Sequence, residues 1–239
     1  MNIILLDPKQ AVSAERYQLD ERQREHLITV IKAKVGDKLR VGVLNGCLGD
    51  AEYLGENSQG LAEIEILQLN QMPPQALPLT LVLALPRPNM LKRTLLNISA
   101  MGVKKIILLN SAKVEKSYWQ SPVLKSENID RILLEGLEQA RDTQMPEWQK
   151  MTRFRPYVED LLPLEMKGRL GLLAHPYQAD ACPINLEQAS VLAIGPEGGW
   201  NEFEVSKWQE AGFNSVHLGE RILKVETAVP VLLSRLYPA

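Results

Sequence analysis

The sequence predicts an α/β protein in two parts, a small N-terminal β-barrel followed by a larger C-terminal domain built on a parallel sheet. Three observations carry this. Residues 1–72 read as short extended pieces around one helix. A proline-bearing break follows at 68–78, with Pro73, Pro74 and Pro78, which a sheet cannot continue through. From Leu79 onward, continuous apolar runs alternate with amphipathic helices, the pattern of strands buried on both faces of a parallel sheet. The domains are therefore expected at 1–72 and 77–239.

In the first domain Asp20 is placed to cap a helix through Lys32, with Leu27, Val30 and Ile31 on one face. Gly36-Asp37 then turns into a strand from Lys38 to Leu44, and Asn45-Gly46 is a strong hairpin turn. Further strands are expected at Asp50–Leu54 and Leu61–Leu67, separated by Gly55-Glu56-Asn57-Ser58. In the second domain Leu79–Leu85 is a buried strand, and Asn89–Met101 is a helix with Leu91, Leu95 and Ile98 on one face. Gly102 stops that helix before a strand at Val103–Leu109. A long helix is expected over Lys125–Arg141, and strands over Leu170–Ala174, Val191–Ile194 and Ser215–Leu218.

Composition excludes several classes. Hydrophobic residues make up 45% and charged residues 23% of 239 residues, as in a soluble globular protein. The formal net charge of -2 supplies no global pull on nucleic acid, so any RNA contact must come from local basic patches. Cys47 and Cys182 have no His or Cys at ligand spacing, so neither a metal site nor a disulfide framework is expected. The N-terminus lacks the basic region and long apolar stretch of a secretion signal, and no run is long enough to span a membrane. The expected compartment is the cytoplasm.

In an open parallel sheet, ligands bind beyond the carboxyl ends of the strands, so the residues just after each apolar run carry the information. Three ends are unusual. His175-Pro176 follows Leu172-Leu173-Ala174. Gly195-Pro196-Glu197-Gly198-Gly199-Trp200 follows Leu192-Ala193-Ile194. Gly219-Glu220-Arg221-Ile222-Leu223-Lys224 follows Val216-His217-Leu218. The glycines remove Cβ atoms where a flat ligand approaches the backbone, although a strand-to-helix turn that needs them for geometry alone reads equally well. Asn201 with Glu204 forms a capping box, Ala211-Gly212 ends the helix, and Thr227 is placed to cap the last helix with Pro230 in its first turn. The glycine loop is neither a dinucleotide fingerprint nor a P-loop.

Ile194-Gly195-Pro196-Glu197-Gly198-Gly199 and the run from Leu218 to Ala228, at their mutual spacing, resemble the SPOUT methyltransferases, and among them the 16S rRNA uridine-N3 methyltransferases, the ribosomal RNA small-subunit methyltransferase E family. His26-Leu27 to Lys32 followed by Gly36-Asp37 is similar to that family's N-terminal PUA-like RNA-binding barrel, and Glu138-Gln139-Ala140-Arg141 to its long-helix motif. The resemblance implies a C-terminal α/β knot, a trefoil-knotted parallel sheet, which general topology rules count as rare. It also implies S-adenosyl-L-methionine as cofactor, 16S rRNA of the small ribosomal subunit as partner, and a homodimer. Carried over by position, the cofactor site comprises Leu173, His175, Pro176, Gly195, Pro196, Glu197, Gly198, Gly199, Leu218, Gly219, Arg221, Ile222 and Leu223.

A uridine N3 must lose a proton before or as it is methylated, which calls for a general base or for cations that favour the uridine anion. Arg221 is the candidate that places or polarises the base, with Glu197 and Glu226 ordering the loops or assisting proton removal. His217, inside a strand, is expected to be structural, and His175 to form pocket wall. For RNA, Arg22, Arg24 and Lys32 in the barrel and Arg87, Lys92 and Arg93 at the start of the first helix of the large domain are the candidates. The chain departs from the family where it has Pro86-Arg87-Pro88-Asn89 and Leu96-Asn97-Ile98-Ser99-Ala100-Met101-Gly102, so the acceptor nucleotide stays open. An RNA-binding protein of this fold with another target or no activity is the alternative, and a nucleotide-dependent oxidoreductase is disfavoured by the missing fingerprint.

Overall fold

The computed structural model describes residues 2–238. Contacts divide the chain into two units, Met1–Gln75 with Leu134–Met145, and Ala76–Leu133 with Pro146–Ala239.

The first unit carries a five-stranded sheet in the order β1-β3-β4-β5-β2, formed by β1 (Ile4–Leu6), β2 (Arg16–Gln18), β3 (Lys38–Val43), β4 (Leu48–Glu56) and β5 (Ala62–Gln71). β1 runs parallel to β3, and the other pairs are antiparallel. Alternate side chains, among them Leu39, Val41, Ala51, Tyr53, Ala62 and Ile64, converge with Ile4, Leu6, Tyr17 and Leu27 on one core. The β4–β5 ladder shifts register at three points, which bends the sheet. Gly49 sits at one of them, where any Cβ would collide with the Gln68 carbonyl, so only glycine fits. β5 continues to Gln71 and takes in the first part of the stretch expected to be linker.

The other side of β1 has its own small core. Ile3 and Leu5 pack with Leu48 and Leu137, flanked by Leu134 and Met145. The 134–145 segment belongs here by hydrogen bonds as well. Asn2 N and Ile3 N donate to the Glu138 carbonyl at 3.0 and 3.3 Å, and Asn45 N donates to the Thr143 carbonyl at 2.7 Å. Arg22 forks onto the Glu138 carboxylate, with Nη1 and Nη2 each 2.8 Å from an oxygen, and that carboxylate's side chain is 3% exposed.

Asp20 caps α1 (Glu21–Glu25) with Gln23 completing a capping box. The expected helix does not continue regularly to Lys32. Residues His26–Ile31 form a π-helical turn, closed by Lys32 in the left-handed region at φ 56°. A π turn holds more residues than an α turn, so the i, i+3, i+4 spacing no longer shares a face. Leu27 is buried, while Val30 is 64% and Ile31 45% exposed.

The second unit is a seven-stranded, wholly parallel sheet in the order β10-β12-β9-β11-β6-β7-β8. Its strands are β6 (Leu79–Ala84), β7 (Lys105–Leu109), β8 (Glu147–Met151), β9 (Leu170–Ala174), β10 (Asp180–Ala181), β11 (Ser190–Ile194) and β12 (Phe213–His217). β6 and β11 are buried throughout, as their unbroken apolar character requires. α2 (Pro88–Ala100) buries Leu91, Leu95 and Ile98, and Gly102 at φ 86° ends it, its N–H donating to the Ser99 carbonyl. α3 (Ser126–Ala140) follows, its residues from Leu134 on belonging to the first unit, then the short helices α4 (Phe154–Pro156) and α5 (Leu162–Glu165) joined by a π turn at Tyr157–Leu161.

β8 has no apolar run to announce it. It is an edge strand of sequence Glu-Trp-Gln-Lys-Met, half exposed, with Lys150 lying over the Trp148 ring at 5.4 Å. After α6 (Glu202–Glu210) and β12, α7 (Val225–Leu236) packs on α2. Thr227 does not cap α7. Lys224 holds the N-cap position, and Pro230 lies inside the helix, where it has no N–H to give the Glu226 carbonyl. Among the described residues no helix is long and apolar enough to cross a membrane.

Replacing Arg22 by alanine leaves the buried Glu138 carboxylate without its fork. The expected outcome is a loss of about 2–3 kcal/mol of unfolding free energy, read as a lower urea midpoint, with a smaller loss for Arg22→Lys.

Candidate functional site

All seven strands of the larger sheet point the same way, so the segments leaving β9, β11 and β12 emerge at one edge. There they enclose a cavity of about 950 Å³. Its wall is made of His175 to Gln178 after β9, Gly195 to Glu202 after β11, and Leu218, Gly219 and Arg221 to Val225 after β12, with Lys113 from the segment after β7.

The loop after β11 is a tight turn. Gly199 N–H donates to the Pro196 carbonyl at 2.8 Å, and Gly199 adopts φ +67°, a region costly for residues with a Cβ. A Cβ on Gly195 would stand 3.2 Å from the Trp200 indole nitrogen, so glycine lets that ring pack flat against the strand end. Trp200 is buried in an aromatic cluster, 5.5 Å between ring centres from Trp208 and 6.1 Å from Phe154, and its Nε1 has no hydrogen-bond partner.

Four ties fix this loop from outside. Asn201 caps α6 by accepting from Glu204 N at 2.7 Å, and Glu204 Oε2 accepts in return from Asn201 N at 3.0 Å. The other oxygen of the same carboxylate, 2% exposed as a residue, accepts from Ala112 N at 2.7 Å, joining the start of α6 to the segment after β7. Glu197 Oε1 accepts from Arg87 N at 3.0 Å, and Lys113 Nζ donates to the Gly198 carbonyl at 2.8 Å.

The loop after β12 turns on Gly219 at φ +112°, whose N–H donates to His217 Nδ1 at 3.0 Å. His217 is thus a structural support for the loop. Arg221 is exposed at the cavity wall, and Ile222 beside it is 75% exposed. His175 stands edge-on to Tyr177 at 5.6 Å. Burial, and after it the positive charge of Lys113, pushes the His175 imidazole pKa down, so the ring is neutral at physiological pH.

The cavity gathers most of the residues named from sequence: His175, Pro176, Gly195, Pro196, Glu197, Gly198, Gly199, Leu218, Gly219, Arg221, Ile222 and Leu223. Leu173 does not reach it. That side chain is fully buried in β9, and its neighbour Ala174 lines the wall instead. Glu226, second residue of α7, is half buried and outside the lining. Sequence reasoning missed Lys113, which follows the end of β7 as the other loops follow theirs, and it took Glu204 for a cap alone.

The basic residues fall in different surroundings. Besides Arg22 on Glu138, Arg24 pairs with Glu56 at 2.7 Å and Glu21 at 3.1 Å, and Lys32 terminates the π turn. In the second unit the Arg87 guanidinium bonds the Tyr118 hydroxyl, which with the nearby Glu197 charge raises its pKa further, while Lys92 and Arg93 are exposed on α2.

Residues 73–237 match the family described as the RNA methyltransferase domain. The chain belongs to this family. Among relatives of this RNA methyltransferase, the ribosomal RNA small subunit methyltransferase E of Treponema pallidum is 29% identical over 234 residues, 95% of this chain and 87% of that protein. The protein of the same name from Synechocystis is 28% identical over 238 residues, 98% of this chain and 76% of its own length. A crystal structure of the Neisseria gonorrhoeae ribosomal RNA small subunit methyltransferase E, bound to S-adenosyl methionine, superposes with a TM-score of 0.77 at 21% identity, covering 97% of this chain and 96% of that one. The family resemblance carried by the two loops therefore holds, and the fold is shared.

Because the folded-state pKa of His175 lies below its ordinary value, the folded chain binds this proton later than the unfolded chain does. The stability linked to His175 is then present above about pH 6.5 and lost as the pH falls below it. A proton NMR titration is expected to give His175 a midpoint below about 6.5. A midpoint at or above that value would mean the ring is solvated.

Proposed function

We propose that this chain transfers a methyl group from S-adenosylmethionine to N3 of a uridine in 16S rRNA of the small ribosomal subunit. The observation that carries the reading is the convergence of the Gly195–Trp200 and Leu218–Lys224 loops on one cavity at the carboxyl edge of a parallel sheet. The lining fits the donor. Val216, Leu223 and Ala228 offer apolar surface to a planar ring, the glycine loop presents backbone, and the buried Trp200 indole N–H is a donor without a partner. The acceptor assignment draws on the family resemblance and on relatives named for small-subunit ribosomal RNA.

Bound there, S-adenosylmethionine supplies an electrophilic methyl group on a sulfonium. The residues of the chain provide alignment, water exclusion and charge. Arg221 lines the cavity, and its guanidinium is the group suited to stabilise the negative charge that spreads over the uracil carbonyl oxygens as N3 gives up its proton to solvent. Glu197 orders the glycine loop, because its carboxylate accepts from Arg87 N. Glu226 acts from outside the cavity, on the start of α7.

The C-terminal unit is proposed to carry the trefoil knot. β11 lies between β9 and β6, whereas β12, later in the chain, lies on the far side of β9, and α7 returns to α2. The N-terminal domain is proposed as a PUA-like RNA-binding barrel, with Arg22, Arg24 and Lys32 beside it and Arg87, Lys92 and Arg93 in the catalytic domain contacting RNA. A cytoplasmic homodimer acting on the assembled small subunit completes the reading.

Mass spectrometry of 16S rRNA nucleosides from cells with and without the gene is expected to show 3-methyluridine lost with the gene. With purified chain and undermodified small subunits, Arg221→Ala is expected to slow transfer by about 10²-fold or more while still binding S-adenosylmethionine. Full methylation by that variant would remove Arg221 from the mechanism, and an unchanged nucleoside profile would remove the uridine.

A further inference from the structure

We propose that Lys113 is a positioning residue for methyl-donor binding, setting the shape of the glycine loop through the hydrogen bond from its ammonium to the Gly198 carbonyl. The inference rests on the reading of the cavity as a methyl-donor site.

Lys113 meets the loop twice. Its Nζ is 2.8 Å from the Gly198 oxygen, and its stem lies flush on the same residue, since a Cβ on Gly198 would come within 3.1 Å of Lys113 Cδ and 3.3 Å of Lys113 Cβ. Glycine at 198 therefore makes room for a lysine stem as well as for a ligand. The base of the lysine is anchored too, because the preceding residue, Ala112, donates its N–H to the buried Glu204 carboxylate. Lys113 is exposed and lines the cavity, and its charge is felt at His175.

The consequence follows from what glycine permits. The Gly198–Gly199 peptide has no Cβ on either side and rotates freely unless something holds it. The ammonium holds its carbonyl while its Gly199 N–H donates to the Pro196 carbonyl, and the two bonds together keep the loop in one of its accessible shapes. A loop shaped before the donor arrives loses less entropy when it binds, so the contribution belongs to donor affinity and not to the chemical step.

Lys113→Met keeps the stem and removes the donor, and Lys113→Arg keeps a donor. In calorimetry on the full chain, Lys113→Met is expected to bind S-adenosylmethionine about fivefold to tenfold more weakly than the native chain. The KM for the donor should rise in step, with kcat within about twofold. The His175 midpoint should move up, the thermal midpoint should stay, and Lys113→Arg should recover most of the affinity. Equal affinity of the native and Lys113→Met chains, an arginine variant as weak as the methionine one, or a fall in kcat at constant KM would each overturn the role of Lys113 alone. A native chain that binds no S-adenosylmethionine would overturn the donor reading, and this inference with it.

Discussion

One carboxylate organises the loop edge of the larger sheet. Glu204 is buried, yet each of its oxygens accepts from a backbone N–H, one from Asn201 at the start of its own helix and one from Ala112 in the segment after β7. A buried carboxylate is tolerated only when its lone pairs are engaged in this way. The arrangement fixes where α6 begins, and so where the glycine loop must end. It also brings Lys113 to Gly198. Remove the Glu204 bonds and the loop keeps its glycines but loses the frame that makes them useful.

Around that frame the site divides its labour between buried and exposed parts. Trp200, gripped by Trp208 and Phe154, is a rigid wall whose position is settled by aromatic packing. The opposite loop is different. Gly219 is supported through His217, but Arg221 and Ile222 stand out from the surface. A fixed floor with an exposed arginine above it suits a reaction in which one reactant is held and a much larger one is presented to it.

The sequence reveals buried, repetitive elements well and long-range ties poorly. Leu170–Ala174 is unmistakable as a strand because both its faces are covered, whereas β8, on the sheet edge, needs no apolar run and offers none. Leu27, Val30 and Ile31 have helical spacing, and only the π turn, a feature of backbone geometry, sends the last two to solvent. The capping box of Asn201 and Glu204 is local and legible. The bond from Ala112 to the same carboxylate joins residues 92 positions apart and leaves no local mark. At the cavity, residues that follow strand ends were found because the parallel sheet dictates where to look. Leu173 failed because it is inside the strand and turned into the core.

Leu134–Met145 belongs to the same unit as the N-terminal sheet, with Leu137 in its second core and the Glu138 carbonyl receiving Asn2 and Ile3. On a ribosome this imposes an order of events. β5 ends at Gln71, so all five strands have been made long before the last residues that complete their unit, up to Met145, leave the tunnel. At about 5–20 residues per second the nascent sheet waits roughly 4–15 seconds for them. During that interval Ile3 and Leu5 have no Leu137 to cover them, and Arg22 has no Glu138. The N-terminal unit is first in the chain, yet its last residues are made only after the Ala76–Leu133 stretch of the other unit has been.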